Sequence, residues 1–149
     1  MNIKNKKQGG FTLIEILVVI GIIAVLAAVV IVAINPARQF AQARNTQRWS
    51  NVNTILNAVW QRMAEGRGVW KVDLVCTATL PGVATAVGTG GIDLEPCIVP
   101  TFVASMVMDP STGTAADTGY TIVQTGGANG RITVSAPGAE LSESISVTR

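Results

Sequence analysis

Residues 16–34 are Ile, Leu, Val, Ala and Gly without exception, and between Phe11 and that run the polar positions are Thr12 and Glu15. A helix rises about 1.5 Å per residue, so residues 11–34 are long enough to cross a hydrocarbon core of about 30 Å. The pattern predicts a membrane-spanning helix. Asn35 and Pro36 close the run. Proline lacks a backbone donor and crowds the carbonyl four residues earlier, here Val32, so a kink or local melting is expected over 33–36. From Ala37 to about Glu65 the composition is polar but still helix-forming. Val52, Ile55, Leu56, Val59 and Met63 recur at helical spacing and make one apolar face, with Arg44, Arg48, Asn51 and Arg62 expected largely on the others. Gly66 and Gly68 supply the stop. Trp49 and Trp60 could cover the core edge or meet a neighbouring subunit.

Beyond this helix the period shortens. Residues 69–75 alternate moderately, as a strand or an irregular extended piece. Residues 77–91, rich in Thr, Ala and Gly with Pro81, read as a loop, and 98–108, interrupted by Pro100, as a short helix or a strand. Asp109, Pro110 and Gly113 mark a turn. Residues 120–125 and 131–135 read as hairpin strands around the glycine-rich turn at 126–130, and 141–148 as a last strand. Three strands in meander order would form the sheet that the helix stripe covers. With 149 residues there is room for the span and one modest domain.

Composition narrows the functional classes. Charged residues make up 13% and the formal net charge is +2, which falls to −1 if residues 1–10, with three lysines and no acids, are removed. That is no nucleic-acid signature. The chain has no histidine, so the commonest general base and metal ligand is missing, and no nucleophile–base–orienter set or phosphate-cradling glycine motif can be assembled. The chain is not expected to be an enzyme. Cys76 and Cys97 are either a disulfide formed in an oxidising compartment or two buried free thiols. With no further Cys or His to complete a site, they do not suggest a metal.

Glu15 is the anomaly. An ionised carboxylate at the head of a membrane span needs shallow placement or a partner cation. Cleavage between Gly10 and Phe11 would create an ammonium four residues upstream, able to meet its own Glu15 or that of a neighbour. The run Lys6, Lys7, Gln8, Gly9, Gly10 followed by Phe11, Thr12, Leu13, Ile14, Glu15 resembles the processing signal of type IV pilins and type II secretion pseudopilins. An ordinary secretory signal would instead place its small-residue cleavage site after the apolar region.

The resemblance implies an α+β fold in which a long amino-terminal helix, membrane-spanning then amphipathic, packs on a small antiparallel sheet. It divides the chain into a leader over 1–10, a transmembrane and assembly helix over 11–35, and an exported domain over 36–149. It makes Gly10 the residue before the cut by a prepilin peptidase, Phe11 the methylated mature start, and Glu15 the assembly carboxylate. The implied product is a structural subunit of a pilus-like or pseudopilus filament, built from its own copies or mixed pilin-like subunits by inner-membrane assembly machinery. The alternative is a single-span anchored binding or adhesion domain that does not polymerise.

Lys4, Lys6 and Lys7 on one flank balance Arg38, Arg44 and Arg48 on the other, so charge alone does not orient the span. The resemblance and the cysteines put the amino terminus in the cytoplasm and the domain outside, a single-pass inner-membrane protein that later enters a filament or reaches the cell surface. Arg38, Arg44 and Arg48, with no acid nearby in sequence, are expected to meet anionic lipid or acidic groups of neighbouring subunits. Nucleic acid is not an expected partner. No cofactor is expected. Asp109 and Asp117 lie in an oxygen-rich loop that loosely resembles the calcium-bearing loop of major pseudopilins, with a plain solvated turn as the preferred reading.

Overall fold

The computed structural model describes residues 10–127 and 130–149. The lysines at 4, 6 and 7, most of the leader, and two positions of the expected glycine-rich turn lie outside the described residues. The chain divides into two compact units, residues 1–39 and 40–149.

The first unit contains helix α1, Leu13–Ile34. None of its residues is buried, so in isolation it presents apolar surface all round, as a helix made for an apolar environment does. Asn35 ends it in the left-handed conformation at φ 48°. Asn is one of the few side chains that tolerate that region. The next helix, α2, runs Pro36–Glu65, with proline at its first position, where the missing N–H costs nothing. Asn35 also serves as its start: its carbonyl and its Oδ1 accept from the Arg38 N–H at 3.1 and 3.4 Å. The break anticipated from Pro36 is therefore a clean interruption at one residue.

In the second unit α2 buries a stripe at Ala41, Asn45, Arg48, Val52, Ile55, Val59 and Met63, with Asn51, Leu56 and Ala58 beside it. The spacing of three and four residues is that of one helix face. The aliphatic half follows the sequence expectation. The placement of Arg48 and Asn51 on other faces is corrected: both are buried on this one.

The aliphatic stripe packs on the inner face of a four-stranded antiparallel sheet. Its strands are β1 (Thr85–Ala86), β2 (Thr121–Thr125), β3 (Arg131–Ala136) and β4 (Ile145–Thr148), ordered β1-β2-β3-β4. Ile122, Ile132, Val134, Ala136 and Ile145 point into the same core as Val52, Ile55, Leu56 and Val59. Each such aliphatic side chain, fully buried, contributes about 2 kcal/mol. The long apolar helix and the small antiparallel sheet make the expected α+β, pilin-like arrangement.

The expected meander of three strands gains β1, too short to show in the sequence pattern. Its register pairs Thr85 with Ile122 and Ala86 with Thr121. Residues 77–91, expected as a loop, are thus partly sheet edge, and Val87, Ile92 and Leu94 of the segment between the cysteines lie in the core. Gly88 makes this possible. Its φ is +146°, and a Cβ there would lie 2.5 Å from the Ala116 carbonyl oxygen.

Residues 69–75 form no strand, because Asp73 turns the chain by accepting from the Val75 and Cys76 N–H groups. Over 95–108 a single turn of helix, α3 (Glu95–Ile98), precedes irregular chain with a cis Val99–Pro100 bond. The last strand starts at Ile145, not at Leu141, since Leu141 and Ser142 hold positive φ near 59° and 58°, which no strand accommodates.

Candidate processing and assembly site

Thr12 is the N-cap of α1, extended at φ −82° and ψ 152°. Its Oγ1 accepts from the Glu15 N–H at 3.3 Å, while Glu15 Oε2 accepts from the Thr12 N–H and the Thr12 hydroxyl, each at 2.8 Å. This is a capping box, in which two otherwise orphaned helix-end donors are satisfied reciprocally. A carboxylate in the first turn is further favoured by the helix dipole. The glutamate has a local structural role that sequence reasoning did not assign to it.

The box sets two features of the site. Helix cannot extend back past Thr12, so Gly10 and Phe11 are exposed and outside the helix. Glu15 uses one oxygen, Oε2, for both bonds, leaving Oε1 without a partner among the described residues. A carboxylate so held is directed toward the amino end of α1 with one acceptor oxygen open. A new amine on Phe11 would lie next to the N-cap it already engages.

α1 is the one helix among the described residues that is long and apolar enough to cross a membrane, with a mean hydropathy of 3.5. By length and composition it is a single membrane anchor near the amino terminus.

The other sequence candidates fall elsewhere. Cys76 and Cys97 are joined in a disulfide, which removes the alternative of two free thiols. Asp109, Arg44 and Arg48 belong to one polar network under α2, distinct from the terminus. Arg48 donates with all of its guanidinium N–H groups: Nε and Nη2 to Asp109 at 2.6 and 3.2 Å, Nη1 to Asn45 Oδ1 and Glu140 Oε2 at 2.9 and 2.8 Å, and Nη2 to Ser111 Oγ at 2.8 Å. The Arg48 and Asp109 side chains are 1% and 0% exposed.

Arg44 grips Glu140 with two bonds at 2.7 and 2.6 Å. The expectation that Arg44 and Arg48 meet anionic lipid or acidic groups of neighbouring subunits is therefore corrected: their acids come from the same chain, 61 to 96 residues downstream, where sequence proximity gives no sign of them. Arg38 keeps an exposed side chain with no partner among the described residues.

Asp109 is likewise not in a solvated turn. Its Oδ1 also accepts from the Ser111 N–H and hydroxyl and the Thr112 N–H, so the protein's own donors crowd that oxygen. Burial pushes the Asp109 carboxyl up, yet the bonds from Arg48, Ser111 and Thr112 outweigh it and hold the group well below the usual carboxylate range. Asp117 is exposed and caps its own loop, accepting from the Gly119 N–H at 2.9 Å. Among the described residues no group of three or more Asp, Glu, Cys or His side chains converges as a metal site.

Trp49 reaches Glu143 through its indole N–H at 2.7 Å, and Trp60 is half-buried against the core. Trp60 thus covers the core edge, while Trp49 stays exposed.

Residues 5–31 match the family described as the prokaryotic N-terminal methylation motif, the signature of type IV pilins and pseudopilins. That match covers Gly10, Phe11, Glu15 and most of α1 and stops short of the sheet-bearing unit. No curated protein and no solved structure matches the chain.

Proposed function

We propose that the chain is the precursor of a filament subunit, cut between Gly10 and Phe11 by a prepilin peptidase and methylated on the new Phe11 amine. The methylation motif over 5–31 implies such processing, and filament assembly, in general. The same motif family is structural rather than catalytic. The observation that carries the reading is the capping box. It supports a cut in exposed, non-helical chain, and it presents the Glu15 carboxylate at the head of an unburied apolar helix.

In this reading the span first anchors the precursor in the inner membrane, amino terminus cytoplasmic and residues 36–149 exported. Assembly machinery then lifts it into a pilus-like or pseudopilus polymer. There α1 exchanges lipid contacts for the α1 helices of neighbouring subunits, an exchange of one apolar environment for another. Register must therefore come from polarity. A carboxylate with one open oxygen, paired to the ammonium of the next subunit, supplies it, because either charge left alone in that environment is costly.

The test is the mass of the mature amino terminus. Protein extracted from membranes of cells with a working prepilin peptidase should begin at N-methylated Phe11. A chain that still carries residues 1–10 would overturn the reading and leave a single-span anchored domain.

A further inference from the structure

α1 ends without an anchor of its own. Its last turn carries no basic residue, and Val32 and Ile34 are more than half exposed. A helix of 22 residues is about 33 Å long, against a hydrocarbon core of about 30 Å. A span with that surplus slides or tilts by a few ångström at little cost. Its length therefore does not fix its depth.

The chain just beyond it carries two groups that can. Of the three arginines nearest the span, Arg44 and Arg48 are held by Glu140 and Asp109, which leaves Arg38, exposed and with no side-chain partner among the described residues. Phe40 is 65% exposed, although the buried stripe of α2 begins one residue later at Ala41. A lone exposed aromatic means little by itself; its distance from the span gives it meaning.

Consecutive Cα atoms are about 3.8 Å apart and a helix rises about 1.5 Å per residue, so by any path through Asn35 the Phe40 Cα lies at most about 14 Å from the end of α1, and that of Arg38 at most about 11 Å. The headgroup layer outside the hydrocarbon core is about 5–7 Å deep. The arginine stem can carry its guanidinium back to that layer, and a phenylalanine ring buries its apolar face at the acyl boundary.

We infer that the first turns of α2 are a phospholipid anchor, with the Phe40 ring at the boundary between headgroups and acyl chains and the Arg38 guanidinium on headgroup phosphate. The planar guanidinium fork matches phosphate oxygens, and anionic headgroups add attraction at longer range. An outer end held in this way sets the other end of the span. Glu15 stands 19 residues before Ile34, about 28 Å along α1, which places it at the opposite edge of the core. There its carboxylate stays near water. The inference rests on the membrane-anchored precursor of the filament reading and not on its polymerisation.

The test places the photo-reactive residue p-benzoylphenylalanine at position 40 of the full, uncleaved chain in vesicles of phosphatidylethanolamine and phosphatidylglycerol. Adducts are read by intact and peptide mass after irradiation. Position 40 should gain one phospholipid, while the same probe at position 61, also exposed on α2, should gain far less. Phosphatidylglycerol should be enriched among the adducts by about fivefold over its share of the vesicle, the weight of one cation near an anionic surface, and Arg38→Gln should abolish the enrichment. Adducts from position 40 to a second copy or to residues 41–149, equal phospholipid labelling at position 61, or an enrichment unchanged by Arg38→Gln would overturn the anchor alone. A chain that does not float with the vesicles would overturn the membrane span, and with it both this inference and the filament reading.

Discussion

Asp109→Ala removes the partner of a guanidinium that is 1% exposed. Arg48 then loses two of its bonds and keeps those to Asn45, Glu140 and Ser111. The Ser111 and Thr112 N–H groups lose their acceptor as well. Breaking a buried ion pair from one side costs about 3–5 kcal/mol, and the surviving Glu140 contact argues for the lower part of that range. For a folded unit of this size, about 3 kcal/mol corresponds to a fall of about 10–20 °C in Tm. The assay is thermal unfolding of the full chain in detergent, followed by near-ultraviolet circular dichroism of its tryptophans and tyrosine. Asp117→Ala is the control, since Asp117 sits in the same loop but is exposed and bonds only locally; it should move Tm by a few degrees at most. If Asp109→Ala shifts Tm no further than Asp117→Ala, the argument fails, because the pair would then be solvated and worth as little as a surface bridge.

The same network sets an acid limit. Hydrogen bonds from Arg44 and then Arg48 pull the Glu140 carboxyl down to about 2, and Asp109 is also depressed. Groups depressed on folding lend stability that is complete above their unfolded values, near pH 4.5, and is lost as pH falls toward 2. Tm should therefore be level from pH 8 to 5 and fall steadily below about 4.5, and a decline that begins near pH 6.5 would point to some other group. Reducing the disulfide, or Cys76→Ser with Cys97→Ser, reopens a 21-residue separation and should cost about 3 kcal/mol by loop-closure entropy, measured by urea unfolding with and without reductant. Glu15→Val should leave membrane insertion and the 40–149 unit intact while filament yield collapses; polymers at normal yield would remove Glu15 from assembly.

What could be read in the sequence was whatever depends on near neighbours. The apolar span, the stop at Asn35 and Pro36, the aliphatic stripe of α2 and the β2–β3 pair all follow from periodicity and turn chemistry, and the structure has them. So does the terminal motif. The polar half of the α2 stripe was missed because Arg and Asn count as surface residues in a hydropathy pattern, and the acids that make Arg48 a core residue lie far along the chain. One signal was present: the spacing of Asn45, Arg48, Val52 and Ile55 continues the stripe without a change of phase. β1 has two residues, too few to alternate. The start of β4 was misplaced because Leu141 and Ser142 look strand-compatible until their positive φ is known. The capping box was legible throughout as Thr12 followed three residues later by Glu15, but the carboxylate was read for its charge and its reach to the N-cap went unnoticed.

Glu140 and Glu143 clasp Arg44, Asn45, Arg48 and Trp49 across separations of 92–98 residues. Contacts so remote in sequence add nothing until the intervening chain has been ordered, and the entropy of closing that loop is spent before they form. Asp109 can meet Arg48 at a shorter separation, but Arg44 and Asn45 have no acid to receive them until residues 140–143 arrive. Completion of the polar stripe therefore depends on the far end of the unit reaching back to the beginning of α2.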